Sequence, residues 1–302
     1  SILNSSNIME CFTSIFDISI KVPTAITIGK FDGIHKGHHL LTSEILSKKA
    51  SGLSSCLITF KNSPRIVLSK DITPSLFTNK EKEYILEQKG IQYLITCPFD
   101  KKFMEIDAVK FVEILCNNLN MKYLVVGEDF SFGYKRSGNI NLLRKLSKNY
   151  GFELKVIEKI KKDNQYISST LIREELIKGE IENVNDMLGY EYFILCEVFH
   201  YTKNKMGIPT LYIIPPKNKL IPKFGIYITT VHDNGKKYKG ITKIGKNILD
   251  IEDCKLTEDD IGIETYMLDC VNVGDHLFGK VVKLSFVQLL DDKMKFCSYI
   301  ES

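Results

Sequence analysis

Hydrophobic and polar positions fall into two regimes along this chain. Up to about residue 185, short apolar runs alternate with stretches whose apolar residues recur every three or four positions. The runs at 25–28, 55–60, 93–96, 123–126 and 154–157 read as buried strands. The stretches 38–50, 80–88, 107–117 and 141–150 read as helices. Gly52, Gly90 and Gly151 stand where such helices would stop. Alternation of this kind predicts an α/β fold: a parallel sheet with helices on both faces, binding ligands beyond the carboxyl ends of its strands. After Leu188-Gly189 the pattern becomes strand after strand, at 193–199, 210–214, 225–231, 238–244, 262–268 and 280–289. Gly, Pro, Asn and Asp separate them, and Asp233-Asn234-Gly235 is a hairpin signal. Six such strands predict a small antiparallel β-barrel. The expected domains are therefore 1–188 and 189–302.

A length of 302 residues accommodates two domains at roughly 100–200 residues each. The net charge of +4 suits small anionic substrates and lacks the concentrated basic stripe of a nucleic-acid binder. No run of about 18 apolar residues exists to span a membrane, and the first residues do not form a secretory signal. Eight cysteines (11, 56, 97, 116, 196, 254, 270 and 297) are dispersed without a CxxC pair, which argues against a zinc ribbon or a disulfide framework. The expectation is a cytoplasmic protein with reduced thiols, acting on small molecules and on neither nucleic acid nor membrane; oligomeric state is not legible.

Candidate chemistry begins at Gly29-Lys30-Phe31-Asp32-Gly33-Ile34-His35-Lys36-Gly37-His38, a glycine-bearing turn between a strand and a helix start. Backbone N–H groups at a helix N-terminus attract anions, and His35 and His38 add donors that follow charge on a phosphate. A metal pair or two surface histidines are the competing readings, the metal weakened because no acidic or cysteine ligand follows at regular spacing. A second stretch, Gly127-Glu128-Asp129-Phe130-Ser131-Phe132-Gly133, sits directly after a strand, where substrate contacts collect. A third, Ser168-Ser169-Thr170-Leu171-Ile172-Arg173, combines a helix-capping signature with an arginine one turn in. The fourth, Thr59-Phe60-Lys61-Asn62-Ser63-Pro64-Arg65, is a strand followed by a proline turn.

In order and spacing, these four blocks resemble the N-terminal module of bacterial bifunctional riboflavin kinase/FAD synthetases. The resemblance implies a Rossmann-like nucleotidyltransferase domain that transfers AMP from ATP to FMN, giving FAD and pyrophosphate. It implies that His35 and His38 are catalytic, meeting the ATP phosphates as charge builds on them, with Gly29, Phe31, Asp32 and Gly37 binding ATP in the same turn. Ser169, Thr170 and Arg173 would hold the leaving pyrophosphate. Gly127, Asp129, Phe130 and Phe132 would line the flavin and nucleotide side, and Mg²⁺ would bridge phosphate oxygens. Two positions depart from the family: Ser63 stands where it has His, and Tyr190 where it has Arg.

The same resemblance extends to the barrel, as a riboflavin kinase that phosphorylates riboflavin with ATP. Pro209-Thr210, Glu264-Thr265-Tyr266-Met267-Leu268-Asp269 and Leu277-Phe278-Gly279 carry it. It implies Glu264 as general base toward the ribityl hydroxyl and Thr210 as a ligand of the Mg²⁺ carried by ATP. Here the departures are larger. Tyr212 replaces the family's metal-binding Asn, residues 202–206 lack the glycines of a phosphate loop, and Lys243-Ile244-Gly245 replaces an Asn-Ile-Gly block. Two readings stay open: both reactions, or FMN adenylyl transfer alone with the barrel kept as a flavin-binding or structural module.

Overall fold

A computed structural model describes residues 8–61, 74–203, 206–246, 248, 260–269 and 275–291. Contacts divide it into two compact units: residues 1–73 with 82–167, and residues 74–81 with 168–302.

The first unit is built on a six-stranded sheet: β1 Glu10–Phe12, β2 Thr24–Ile28, β3 Ser54–Phe60, β4 Tyr93–Cys97, β5 Met121–Gly127 and β6 Glu153–Ile157. Every pairing is parallel and the spatial order is β1-β4-β3-β2-β5-β6. The central strands are covered on both faces, as β2 shows: all five of its positions are buried, Thr24 and Thr27 among them. Helices α1 Lys36–Ser47, α2 Asn79–Lys89, α3 Lys101–Met104, α4 Ala108–Leu119 and α5 Ile140–Tyr150 alternate with the strands. The core gathers Ile26, Ile58, Ile95, Leu124 and Val126 from the sheet with Phe111, Val112 and Leu115 from α4. Chain order across the sheet reverses at β2: β3 and β4 lie to one side, β5 and β6 to the other. The loops leaving β2 and β5 therefore emerge side by side at the switch point, where such sheets bind ligands. A short antiparallel hairpin, β7 Lys161–Lys162 with β8 Gln165–Tyr166, closes the unit.

The second unit is a closed barrel: β9 Phe193–Lys203, β10 Pro209–Ile213, β11 Gly225–Asp233, β12 Lys236–Lys246, β13 Ile261–Met267 and β14 Val281–Asp291. All neighbours are antiparallel, in the cyclic order β10-β13-β12-β11-β14-β9. Asn234 (φ 45°) and Gly235 (φ 81°) form the predicted two-residue hairpin turn between β11 and β12. Leu211, Ile213, Ile244 and Ile263 point inward, and so does a hydroxyl ladder in which Thr242 lies 2.7 Å from Thr229 and 2.9 Å from Thr265. Helices α6 Ser169–Lys178 and α7 Ile181–Leu188 group with this unit.

So does the segment 74–81, far upstream in sequence. Its Glu81 forms a wholly buried ion pair with Lys219 at 2.7 Å. Every arm of the pair is occupied. The ammonium also donates to the carbonyls of Leu76 (2.7 Å) and Phe193 (2.8 Å), and the carboxylate accepts from the backbone of Thr78 and Leu195. Phe77 and Tyr192 each present a ring face 4.3 Å from the Lys219 nitrogen. Buried charges persist when satisfied in this way.

Candidate active sites

The turn after β2 is held first by backbone. The Gly29 N–H donates to the Ile58 carbonyl (3.1 Å), and Thr59 Oγ1 donates to the Lys30 carbonyl (2.9 Å). Phe31 adopts φ 47° and is fully buried, so a bulky side chain in the left-handed region is held there by its packing. Its ring lies 4.7 Å from that of His38, which in turn stacks on His35 at 3.9 Å. Asp32 is half-buried beside them.

His35 is the N-cap of α1 and forms a reciprocal capping box with His38. Its Nδ1 accepts from the Gly37 N–H (3.1 Å), while its own N–H donates to His38 Nδ1 (3.3 Å). Gly37 is required by this closeness, since a Cβ there would stand 2.9 Å from the His35 ring. The sequence points to first-turn N–H groups free for an anion; instead, Gly37 spends its N–H on the cap. The box has a chemical consequence. Both Nδ1 atoms are acceptors, so in the neutral rings the proton sits on Nε2. Burial, reinforced by the charge of His39, lowers the His35 pKa to about 4. Burial likewise holds His38 well below the ordinary histidine range, helped by His35, His39 and Lys82. Near neutrality the pair is two uncharged imidazoles with fixed Nε2–H donors.

The third histidine of the run, His39, receives a hydrogen bond at Nδ1 from Lys89 of α2 (2.5 Å), whose pKa burial lowers. Lys89 lies fifty positions away in an ordinary polar helix, so no local pattern announces this pairing.

The loop after β5 is closed by a tight turn, with the Phe130 N–H on the Gly127 carbonyl (3.1 Å). Asp129 pairs with Lys159 at 2.9 Å, and Glu128 accepts from the Lys159 N–H, tying this loop to the one after β6. Phe130 stacks on Phe132 at 5.6 Å. The two rings differ in exposure: Phe132 belongs to the core, and Phe130 lies partly open over it. Gly127 and Asp129 thus border an accessible edge while Phe132 backs it.

In the second unit, Ser168 caps α6, accepting the Leu171 N–H at 3.2 Å. Capping falls to Ser168, leaving Ser169 and Thr170 as the first helical residues. Arg173 donates to the Pro74 carbonyl. Ser63 and Arg65 of the fourth block lie outside the described residues, as do Asn204, Lys205, Asn247 and Leu249 of the kinase blocks and Cys254, Cys270 and Cys297.

On the barrel, register assembles a polar row. His200 of β9 pairs with Tyr212 of β10, Tyr212 with Glu264 of β13, and Glu264 with Lys243 of β12. Paired residues share a face; these four are half-buried, opposite in parity to the inward Leu211 and Thr265. Thr210 and Tyr266 form the next rung. Tyr266 hydrogen-bonds Glu264; burial first, then that bond, raises the pKa of its phenol. Thr202 Oγ1 donates to the Tyr212 oxygen at 3.4 Å. Thr210 is buried and donates to the Ile208 carbonyl (3.4 Å), which leaves its hydroxyl lone pairs available to a cation. Tyr266 is a contact sequence reasoning missed, although its i+2 spacing from Glu264 was the available signal.

Comparison with known proteins follows this division. Residues 17–171 match the FAD synthetase family model and residues 188–301 the riboflavin kinase model. The chain is 33% identical to a bifunctional riboflavin kinase/FMN adenylyltransferase of Buchnera aphidicola over 91% of this chain and 87% of that one. It is 31% identical to the Haemophilus influenzae protein of the same description, over 91% and 88%. A crystal structure of a macrolide-efflux protein from Streptococcus pneumoniae superposes with a TM-score of 0.78 at 24% identity, covering 97% of this chain and 94% of that one. At that identity the likeness shows the fold alone.

Proposed function

The chain belongs to the family of bifunctional riboflavin kinase/FMN adenylyltransferases, and from that membership we propose how its residues divide the two reactions. It phosphorylates riboflavin to FMN and adenylylates FMN to FAD, with ATP as donor in both steps.

In adenylyl transfer, an oxygen of the FMN phosphate attacks the α-phosphorus of ATP. The new P–O bond forms as the bond to the bridging α–β oxygen breaks, and pyrophosphate leaves with the electron pair. No proton needs to move at the attacking oxygen, so the protein's task is positioning and charge stabilisation. The observation that carries the assignment is the capping box: it fixes the Nε2–H groups of His35 and His38 as donors at the switch point. Gly29, Phe31, Asp32 and Gly37 shape that turn, and Gly127, Asp129 and Phe130 border the flavin or adenine ring. Ser169, Thr170 and Arg173 are assigned to the leaving pyrophosphate on the resemblance alone.

In riboflavin phosphorylation, the ribityl hydroxyl oxygen attacks the γ-phosphorus, its proton passes to the Glu264 carboxylate, and ADP departs with the electrons of the broken bond. Magnesium fits the barrel as an ion brought by phosphate. Mg²⁺ keeps several waters and takes its anionic ligands from substrate, so the neutral Thr210 hydroxyl is an adequate protein ligand; bound there, the ion would screen the charge of the phosphates.

The test is substrate feeding. With Mg-ATP, riboflavin should yield FMN and then FAD, and supplied FMN should yield FAD directly. FAD from FMN with no product from riboflavin would remove the kinase half and leave the first intact.

A further inference from the structure

Glu264 has a different neighbour on each side: the Tyr212 phenol across from β10 and the Lys243 ammonium across from β12. The separation is one cross-strand step, about 4.5–5.5 Å between Cβ atoms. Within the row His200–Tyr212–Glu264–Lys243, Lys243 carries the fixed positive charge, and it is half-buried rather than extended into solvent.

The reaction places a demand on this spot. The hydroxyl oxygen that loses its proton to Glu264 is the same atom that bonds to the incoming phosphorus. The transferring phosphoryl group must therefore arrive within one side-chain length of the base. Its negative charge, spread over three equatorial oxygens, requires a cation there. Lys243 stands one strand from the base, on its face, with a flexible ammonium and three donors. On the opposite flank Tyr212 is neutral and already receives a hydrogen bond from Thr202. The row is thus polarised: phenol, base, cation.

We infer that Lys243 is a catalytic residue of the riboflavin kinase reaction, its ammonium binding the γ-phosphoryl oxygens as the Glu264 carboxylate takes the hydroxyl proton; this rests on the kinase assignment above. The ordinary alternative is a cross-strand pair between Glu264 and Lys243, worth only about 0.2–1 kcal/mol of stability and nothing to the reaction.

Full-length protein decides between them. Lys243→Ala should lower kcat for FMN formation by about 10²–10³-fold, the size of losing one preorganised donor to a developing charge. The riboflavin KM should move little, FAD formation from FMN should be unchanged, and Lys243→Arg should restore part of the loss. Lys237→Ala, an exposed lysine on the same strand, should match the parent. A second readout needs no turnover: in EDTA, a non-hydrolysable ATP analogue that keeps the γ-phosphoryl group should slow amide exchange in β12 and β13 of the parent but not of Lys243→Ala. A parent that makes FMN, with Lys243→Ala within threefold of it or equally protected by that analogue, overturns the inference while the kinase assignment stands. A parent that makes no FMN from riboflavin overturns both.

Discussion

At the end of β2, backbone and side chain bond each other: two imidazoles are pinned by two peptide N–H groups, one helix turn and one glycine. On the barrel, cross-strand register alone sets four side chains in a row, each on a different strand. The first arrangement suits a reaction that asks for fixed neutral donors and no proton transfer. The second suits one in which a proton leaves and a charge arrives. Preorganisation by capping gives little tolerance to substitution, since Gly37 touches the His35 ring. Preorganisation by register tolerates exchange, as Tyr212 and Lys243 illustrate where the family resemblance leads one to expect amides.

The sharpest way to break this comparison is Glu264→Gln. FMN formation should fall by about 10²–10⁴-fold, the range for losing a general base, while FAD formation from supplied FMN is unaffected. Loss of both activities together would mean that the sites are not independent. Next comes Lys219→Met, which leaves Glu81 charged, buried and unpaired. About 3–5 kcal/mol should be lost from the unfolding free energy of the second unit, read by denaturant titration with hydrogen exchange. Adding Glu81→Leu should return much of it.

His38→Ala should cut FAD formation by about 10²-fold with FMN formation intact. Turnover near that of the parent would remove His38 from the mechanism.

The smallest effect concerns pH. The His35 pKa is lowered in the folded state, to about 4 from 6.5. The unfolded chain therefore binds a proton first as pH falls, so this contribution to stability is complete above about pH 6.5 and is lost progressively toward pH 4. Asn is also a good N-cap, so His35→Asn should keep α1 while flattening the dependence of the melting temperature on pH across that window. An undiminished slope would assign the effect to other groups.

Much of this was legible in the residues. Each apolar run from 25 to 157 became a strand because a parallel sheet buries both faces and so imposes continuous hydrophobicity. The six barrel strands followed from alternation and turn residues, with ends shifted by a few positions. β1 escaped notice because three residues, one of them charged, carry no periodic signal. The His35–Lys36–Gly37–His38 spacing marked the turn after β2 as a candidate site at a helix start, but not the capping box, which depends on which ring nitrogen faces which N–H. Lys219 sits in the polar stretch Pro215–Lys223 and reads as a solvated loop lysine. Its burial is decided by Glu81, 138 residues away.

That distance has a consequence in time. A ribosome adding about 5–20 residues per second releases residues 74–81 many seconds before the lysine that completes their carboxylate exists. Through that interval Glu81 must stay hydrated, and the segment waits as an unfilled strap while the later sheet strands are synthesised. A fragment beginning at residue 168 or 189 never receives the strap at all. It would carry Lys219 into a barrel with no counter-charge, so such a fragment should recover its fold only when a peptide spanning 74–81 is supplied in trans.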